Sequence, residues 1–196
     1  MNNAFTYQRV AAYLVDIILI GILVTLLTFW IPESEKYKAA MKEKDEISDL
    51  YVNKEIDTNE YIDSMYAARY VIEKEIVVKS IITIVVTFAY FATFAYYNNG
   101  QTLGKKLLHI KVVNNDGKEV SHLQLALRTL IINEVFFSTV SVIMLFFIKS
   151  DQFFYTIGLV ELVQSLVVIV ALIMVMVRKD KKGLHDMLCQ TKVVQV

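Results

Sequence analysis

Residues 10–31, VAAYLVDIILIGILVTLLTFWI, form an apolar run that contains a single charged side chain, Asp16. A helix rises ~1.5 Å per residue, so about 20 apolar residues cross the ~30 Å hydrocarbon core of a bilayer. Comparable runs cover residues 81–97, 130–148 and 153–177. We therefore predict an all-α membrane protein, built as a bundle of four transmembrane helices.

The composition favours the same class. Hydrophobic residues make up 56% of the 196 residues, above the roughly 45–50% of an ordinary soluble protein. A nucleic-acid-binding protein needs a basic face with accessible aromatic side chains, which this sequence lacks, so we expect no nucleic acid partner. The single cysteine excludes an intrachain disulfide and a cysteine-based zinc cluster. We expect neither a metal nor a cofactor.

The charged residues predict how the chain is oriented. Segments 1–9, 98–128 and 178–196 together carry eleven Lys or Arg and four acids, whereas residues 32–80 carry eight bases and twelve acids. Basic segments between spans are preferentially retained in the cytoplasm. We therefore predict that both termini and the segments 98–128 and 178–196 are cytoplasmic.

Residues 33–76 form an insertion with helical patterning. Ser34 is placed to cap a helix that runs to about Asn53, and Asp57 precedes a second helix. Apolar residues then recur at helical spacing, which predicts that the second span continues beyond the membrane as one long helix. The expected result is an extracytoplasmic helical hairpin. It is either a solvated cap on the bundle or a surface that binds a partner.

The two longer cytoplasmic segments change to a strand pattern. Residues 107–113, LLHIKVV, alternate in polarity, and residues 182–189 predict one or two helical turns before a strand at 191–196. Ser121 and Gln124 have the spacing of a capping box for the third membrane helix. Strands on one side of a membrane can pair through their edges. We predict a small cytoplasmic β-sheet that joins residues 107–113 to the C-terminus.

Three carboxylates lie inside predicted spans: Asp16, Glu134 and Glu161. An ionisable group costs a few kcal/mol or more in the bilayer, so each is a functional hypothesis. Asp16 and Glu134 each lie about 9 Å from a cytoplasmic helix end, and Glu161 lies about 12 Å from the opposite end of its span. This arrangement predicts a path for Na⁺, K⁺ or protons.

A second hypothesis concerns charges near the cytoplasmic helix ends. Arg9 and Arg128 are placed where buried acids can reach them, which predicts a charge network of Arg9, Asp16, Arg128 and Asp186. Such a network locks helix register, handles ions, or recognises a lipid headgroup or polar ligand, and the sequence leaves these alternatives open.

Residues 100–106, GQTLGKK, directly follow the second span. Their spacing is not that of a Walker motif, so we expect no ATP binding. We expect a tight turn at the membrane surface instead. Four lysines are predicted to contact anionic lipid: Lys105, Lys106, Lys181 and Lys182.

Three blocks of residues resemble the RDD family of bacterial membrane proteins. The first is RVAA at residues 9–12 with Asp16, the second is GQTLGKKLL at residues 100–108 with Arg128, and the third is LHD at residues 184–186. The family is named for one arginine and two aspartates, and the resemblance implies Arg9, Asp16 and Asp186 for these. His109 stands where the family often has a small residue. The insertion at 33–76 is not part of the resemblance.

The resemblance implies a multi-pass protein of the bacterial cytoplasmic (inner) membrane and suggests transport, with cation/proton antiport proposed for some members. We expect Asp16 to alternate between a proton and Na⁺ or K⁺, helped by Glu134. The spans show no sign of broken helices, and four helices form a thin scaffold, so we expect a homo-oligomer to enclose the path.

The alternative is a non-enzymatic assembly or envelope accessory protein that binds a protein partner through the acidic outer hairpin. A membrane enzyme would need a nucleophile or metal constellation. His185 and Asp186 have no such companion in the sequence, so we expect no catalytic residue.

Overall fold

The computed structural model describes residues 2–196, apart from the side chain of Asp151. Helices dominate, and two short strands pair at one end of the bundle. The elements, in chain order, are α1 (Thr6–Thr28), α2 (Glu35–Val52), α3 (Thr58–Glu75), α4 (Val77–Phe88), a π-helical segment (Ala89–Phe94), α5 (Ala95–Tyr97), α6 (Leu103–Leu107), β1 (Ile110–Asn114), α7 (His122–Ile132), α8 (Val135–Phe147), α9 (Ser150–Val177), α10 (Leu184–Leu188) and β2 (Thr191–Gln195).

Among the described residues, three helical segments are long and apolar enough to cross a membrane: Thr6–Thr28, Val77–Tyr97 and Gln152–Val177. Their surfaces expose large apolar side chains. Leu26, for example, is 63% exposed and Leu159 is 65% exposed. Helices that face lipid are expected to present such a surface, whereas those of a soluble domain bury it. The chain is therefore a membrane protein, as predicted.

The fourth candidate span is bent. Helices α7 and α8 are long and apolar enough to cross a membrane only when they are taken together, and they meet at an angle of 63°. Glu134 lies between them with a φ of 62°, in the left-handed region that ends a helix. The expectation of unbroken spans is therefore wrong. Neither Gly nor Pro lies at the bend, so the usual signal of a helix break is missing from the sequence.

The strands pair antiparallel, with Val112 opposite Val193, and the N-terminal Asn3 bridges to Val194. This sheet packs with buried residues of α1 and α7, such as Ala12 and Leu125. We call this end of the bundle, which holds Asn3 and β2, the sheet end. The small sheet is as predicted. Its assignment to the cytoplasm stays a prediction.

The local structure before β1 differs from the prediction. Residues 103–107 form α6, because the Thr102 hydroxyl caps its first turn and accepts from the Lys105 amide at 3.4 Å. The strand therefore begins at Ile110 rather than at residue 107. The helical turn α10 before β2 and the capping box of Ser121 and Gln124 at the start of α7 are confirmed.

Helices α2 and α3 form an antiparallel pair at the other end of the bundle, which we call the hairpin end. Ser34 accepts from the Tyr37 amide at 3.0 Å, and Asp57 accepts from the Glu60 amide at 2.9 Å. Both predicted helix starts are confirmed. The hairpin and the second span are not one continuous helix, however, because the backbone at Ile76 departs from helical geometry and α4 starts anew.

The hairpin packs against the bundle through aromatic side chains of α3. The Tyr70 hydroxyl donates to the Ile148 carbonyl oxygen at 2.8 Å, which satisfies a carbonyl at the end of α8. The ring of Tyr66 stacks on that of Phe154 with 4.8 Å between centroids. The α3 face of the hairpin is thus occupied by the bundle. Whether the hairpin is extracytoplasmic stays a prediction.

Candidate functional site

Asp186, in α10, lies fully buried between two arginines from different spans. Arg9 of α1 and Arg128 of α7 each donate to one of its carboxylate oxygens. The backbone amide of Gly183 donates to Oδ2 at 3.0 Å, and Arg9 also donates to the carbonyl of Lys181. One carboxylate therefore holds two spans and the C-terminal segment together.

The two guanidinium groups control the charge state of Asp186. Burial by itself raises the pKa of this carboxyl, but the opposite charges of Arg128 and Arg9 outweigh burial and hold the pKa well below its ordinary value. Asp186 is therefore ionised at neutral pH. Breaking a buried pair of this kind costs about 3–5 kcal/mol, because the remaining partner is left charged and unpaired.

Gly183 allows α10 to approach α9 closely enough to place Asp186. A Cβ at this position would lie 2.7 Å from His185 Cε1 and 3.0 Å from the Ala171 carbonyl oxygen of α9. Such distances are shorter than ordinary van der Waals contacts. A larger residue would therefore push α10 and its carboxylate away from the arginines.

His185 is 3% exposed and lies beside this cluster. Its Nε2 is 3.5 Å from Arg9 and 3.5 Å from Asp186, and its Nδ1 has no hydrogen-bond partner among the described residues. Burial, together with the positive charge of Arg128, lowers the pKa of His185 to about 3. The ring is therefore neutral at physiological pH.

Asp16 lies in a different buried cluster. It is fully buried and accepts three hydrogen bonds, from the Tyr90 hydroxyl at 2.6 Å, the Thr102 hydroxyl at 2.5 Å and the Gly104 amide at 2.7 Å. The Tyr90 hydroxyl in turn accepts from the Leu103 amide at 3.1 Å. The carboxylate thus joins α1 to the π-helical segment of the second span and to α6.

The GQTLGKK segment folds into the bundle because of this cluster. A Cβ at Gly104 would overlap the Ala12 carbonyl oxygen and lie 2.8 Å from Asp16 Oδ1. At Gly100, where φ is +80°, a Cβ would overlap the Val112 carbonyl oxygen. The glycines thus permit close backbone approach to α1 and to β1.

The two lysines of this segment have different surroundings. Lys105 Nζ lies 3.3 Å from the Thr102 hydroxyl and 5.5 Å from the ring centroid of Phe91, whereas Lys106 is exposed. Desolvation lowers the pKa of Lys105 to about 8. Lys105 therefore faces the interior of the bundle, and only Lys106 of this pair points to the surroundings.

The structure brings together three members of the predicted charge network, Arg9, Arg128 and Asp186, and places Asp16 apart from them. In the tail, Lys182 Nζ donates to Asn115 Oδ1 at 2.7 Å and Lys181 Nζ donates to the Met176 carbonyl oxygen at 3.1 Å. Contact of these lysines with anionic lipid stays a prediction.

Glu134 belongs to the lining of three open cavities among the described residues. The sheet-end cavity has a volume of about 290 Å³, the middle cavity about 250 Å³ and the hairpin-end cavity about 660 Å³. Besides Glu134, the polar residues that line the sheet-end cavity include Arg9, Lys105, Arg128, Asn133 and His185. Those of the middle cavity include Tyr13, Thr83, Thr87, Asn133 and Ser138. Those of the hairpin-end cavity include Arg69, Glu73, Glu161 and Gln164.

The three predicted path carboxylates therefore occupy different surroundings. The Glu134 carboxylate makes no hydrogen bond or ion pair with any described residue, and Glu161 lines the hairpin-end cavity. Asp16 lines none of the three cavities in the described part of the chain. In the hairpin-end cavity, burial raises the pKa of Glu73. The negative charge of Glu161 also raises this pKa, whereas the positive charge of Arg69 lowers it.

Several residues of these clusters were not predicted from the sequence. Tyr90 lies inside an apolar run, where nothing distinguishes it from a packing residue. The bend at Glu134 has no Gly or Pro beside it. Thr102 did carry a signal, because a threonine before a helical turn is a common N-cap.

Comparison with known proteins bears on the whole chain. No similar protein was found among curated proteins, and none among solved structures. The profile of the RDD family matches residues 4–190, nearly the whole chain, including all three blocks that carry the resemblance. The chain therefore belongs to the RDD family.

Proposed function

We propose that this membrane protein is a transporter that exchanges a small cation, such as Na⁺ or K⁺, against protons. The observation that carries the proposal is the position of Glu134, an exposed residue at the bend that belongs to the lining of the sheet-end, middle and hairpin-end cavities. A carboxylate without a protein partner in a span needs a proton, a cation or water to offset its charge. Glu134 is therefore assigned as the exchanging group.

The bend between α7 and α8 supports an ion-handling role for this position. Glu134 lies between the C-terminus of α7, which carries a partial negative charge, and the N-terminus of α8, which carries a partial positive charge, so the helix ends by themselves favour neither sign of ion. Broken spans whose ends face a midplane site are a recurring feature of transporters. The left-handed backbone at Glu134 is a costly conformation for a residue other than glycine, as is common at functional sites.

The cavities are electrostatically unequal. Glu73 and Glu161 line the hairpin-end cavity with a single arginine, Arg69, whereas Arg9, Lys105 and Arg128 line the sheet-end cavity. Positive groups raise the energy of a nearby cation. We therefore assign cation entry to the hairpin-end cavity, and we expect apparent cation affinity to be higher from that side.

Asp16 takes a different role in this proposal from the one expected at first. Its two oxygens already accept three hydrogen bonds at 2.5–2.7 Å, so an ion would have to displace protein donors. We assign Asp16 to holding α6 and the second span against α1. Glu134 then takes the exchanging role first expected of Asp16.

The test is cation-driven proton flux in proteoliposomes that hold the purified protein and a pH-sensitive dye. Na⁺, K⁺ and Li⁺ are added separately to wild type and to Glu134→Gln. Glu119→Gln is the matched control, because this exposed glutamate lies between β1 and α7, outside the candidate spans. We expect flux from wild type and from the control, and no flux from Glu134→Gln.

Asp16→Asn separates the two carboxylates. We expect it to lower the yield of monodisperse protein, with residual flux from the molecules that fold. Flux retained by Glu134→Gln would contradict the assignment of this residue. No flux from folded wild type with any cation would contradict transport of these ions and would favour the alternative, in which the acidic hairpin binds a protein partner.

We further infer that the protein lies in the bacterial cytoplasmic membrane with the sheet end in the cytoplasm. The segregation of basic and acidic residues supports this orientation. Cysteines introduced at Asn115 and at Glu55, in a background without Cys189, test it by labelling intact cells with a membrane-impermeant maleimide. Only the cysteine at position 55 should react.

A further inference from the structure

The sheet-end cavity is polar at one end and apolar along its walls. Arg9, Lys105, Arg128 and His185 form its polar end. The apolar walls are formed by side chains of three spans, among them Val10, Leu125, Ile132, Val168, Leu172 and Val175. A cavity of about 290 Å³ with apolar walls and a polar end suits an amphipathic ligand, because the apolar part of such a ligand removes those walls from water.

The polar end gathers positive charge. Arg9, Lys105 and Arg128 are all mainly protonated near neutral pH, since even the lowered pKa of Lys105 is about 8. Asp186 pairs with both arginines, and Glu134 is the carboxylate in the lining of the cavity. Lys105 forms no ion pair with any described residue. An anion in the cavity would pair with Lys105 and with the free edge of Arg128.

Unused hydrogen-bond donors belong to the same residues. Arg128 makes both of its protein hydrogen bonds through Nη1, to Asp186 and to the Thr191 hydroxyl, within the described part of the chain. Lys105 Nζ donates to Thr102 alone among the described residues. A guanidinium has five N–H donors and an ammonium three, so donors remain on both.

His185 is an independent pointer to a ligand. The side chain is 97% buried and lines the cavity, yet its Nδ1 has no hydrogen-bond partner among the residues described. A buried ring nitrogen without a partner costs about 1–3 kcal/mol. A ligand oxygen or a bound water in the cavity is the group that would satisfy it.

We propose that the sheet-end cavity binds a phosphate monoester, held by Arg128, Lys105 and His185, and that its source is the headgroup of a membrane lipid. A phosphate has several terminal oxygens that accept donors from different directions, whereas a carboxylate has two. The apolar walls favour a lipid over free phosphate. This proposal does not depend on cation exchange at Glu134.

Two residues of the cavity lining also reach the surface of the bundle. Val10 of α1 and Leu172 of α9 line it and remain 40% and 46% exposed on the apolar surface of the bundle. At the sheet end the two helices are joined by a hydrogen bond from the Thr6 hydroxyl to the Val175 carbonyl oxygen, at 3.3 Å. We place the acyl chain between Val10 and Leu172, where the cavity lining reaches the apolar surface of the bundle.

Binding is measured with the purified full-length chain in maltoside micelles. The probes are dihexanoyl phosphatidic acid, dihexanoyl phosphatidylcholine and inorganic phosphate, each titrated calorimetrically. Lys105→Gln removes one proposed contact, and Lys106→Gln is its matched control, since Lys106 is the exposed neighbour. Size-exclusion chromatography verifies that each variant is folded and monodisperse.

We expect saturable binding of the phosphatidic acid and none of the phosphatidylcholine. Lys105→Gln should weaken binding by about 10-fold or more, the effect of losing a charged hydrogen bond, and Lys106→Gln should not. Leu172→Trp, which places a larger side chain beside the acyl chain, should weaken binding of the lipid but not of inorganic phosphate.

Other outcomes overturn the proposal in part or whole. Inorganic phosphate that binds as tightly as the lipid would overturn the lipid source. If folded wild type binds neither phosphate compound, or if the two lysine variants bind phosphatidic acid equally well, the phosphate site itself is refuted.

Discussion

Replacing Asp186 with asparagine isolates the role of one buried charge. The carboxylate is fully buried and is the counter-ion of both Arg9 and Arg128, whose side chains are only 10% and 11% exposed. Asparagine keeps nearly the same shape and removes the charge. The two guanidinium groups then repel each other in a desolvated environment without a counter-ion.

The expected loss follows from this geometry. Removing one partner of a buried pair typically costs about 3–5 kcal/mol. For a chain of this length, 1 kcal/mol corresponds to about 2–4 °C in melting temperature. We therefore expect Asp186→Asn to unfold about 10 °C below wild type.

The chain contains its own reporter for this measurement. Cys189 is the single cysteine, it is 4% exposed, and burial raises the pKa of its thiol, so it reacts slowly in the folded state. A maleimide dye that fluoresces on reaction reports its exposure during a thermal ramp in detergent. Asp180→Asn is the matched control, because Asp180 pairs with Arg178 on the surface, where an ion pair contributes little.

A melting temperature for Asp186→Asn within about 2 °C of the Asp180→Asn control would refute the reasoning. It would mean that the arginines are solvated through the sheet-end cavity and do not depend on Asp186. Loss of folded protein at the purification stage would instead agree with a large destabilisation, and the yield of the Asp180→Asn control would separate it from an expression defect.

Three further predictions use the same thermal assay. The folded-state pKa of His185, about 3, lies below the unfolded value of about 6.5, so its contribution to stability is constant above neutrality and falls as the pH drops below 6.5. Between pH 7 and pH 5 we expect the free energy of unfolding to fall by about 2 kcal/mol. The His185→Gln variant should lose most of this pH dependence. Gly104→Ala should lower the melting temperature by several degrees because its Cβ overlaps the Ala12 carbonyl oxygen, whereas Gly158→Ala, a helical position with open space around it, should raise it slightly; equal effects would contradict the close approach. His109→Gly should stabilise the fold by about 1 kcal/mol, because His109 has a φ of 53°, and an unchanged melting temperature would argue against strain there.

The strain at His109 lies in the backbone. A left-handed backbone favours glycine. Histidine at this position therefore has a cost in backbone conformation rather than in packing, since its side chain is exposed.

Local signals in the sequence were sufficient for much of the fold. Apolar runs identified three helices that are long enough to span a membrane, since that length depends on bilayer thickness alone, but they did not reveal the bend in the fourth. Ser34, Asp57 and Ser121 marked helix starts because a cap is a contact between residues two or three apart. The alternation around Ile110 indicated a strand, but its start was misplaced, because the docking of Gly104 against α1 made residues 103–107 helical.

The sequence by itself thus determined the membrane class, the helix starts, the small sheet and the family, since each depends on local pattern or on matched blocks. Only the tertiary structure decided which charges meet. Arg9 and Asp186 lie 177 positions apart, and Asp16 and Gly104 lie 88 apart, so no spacing rule relates them. It also separated Asp16 from Asp186 and placed Glu134 among three cavities, because burial and cavities are properties of how helices pack, and no single segment encodes them.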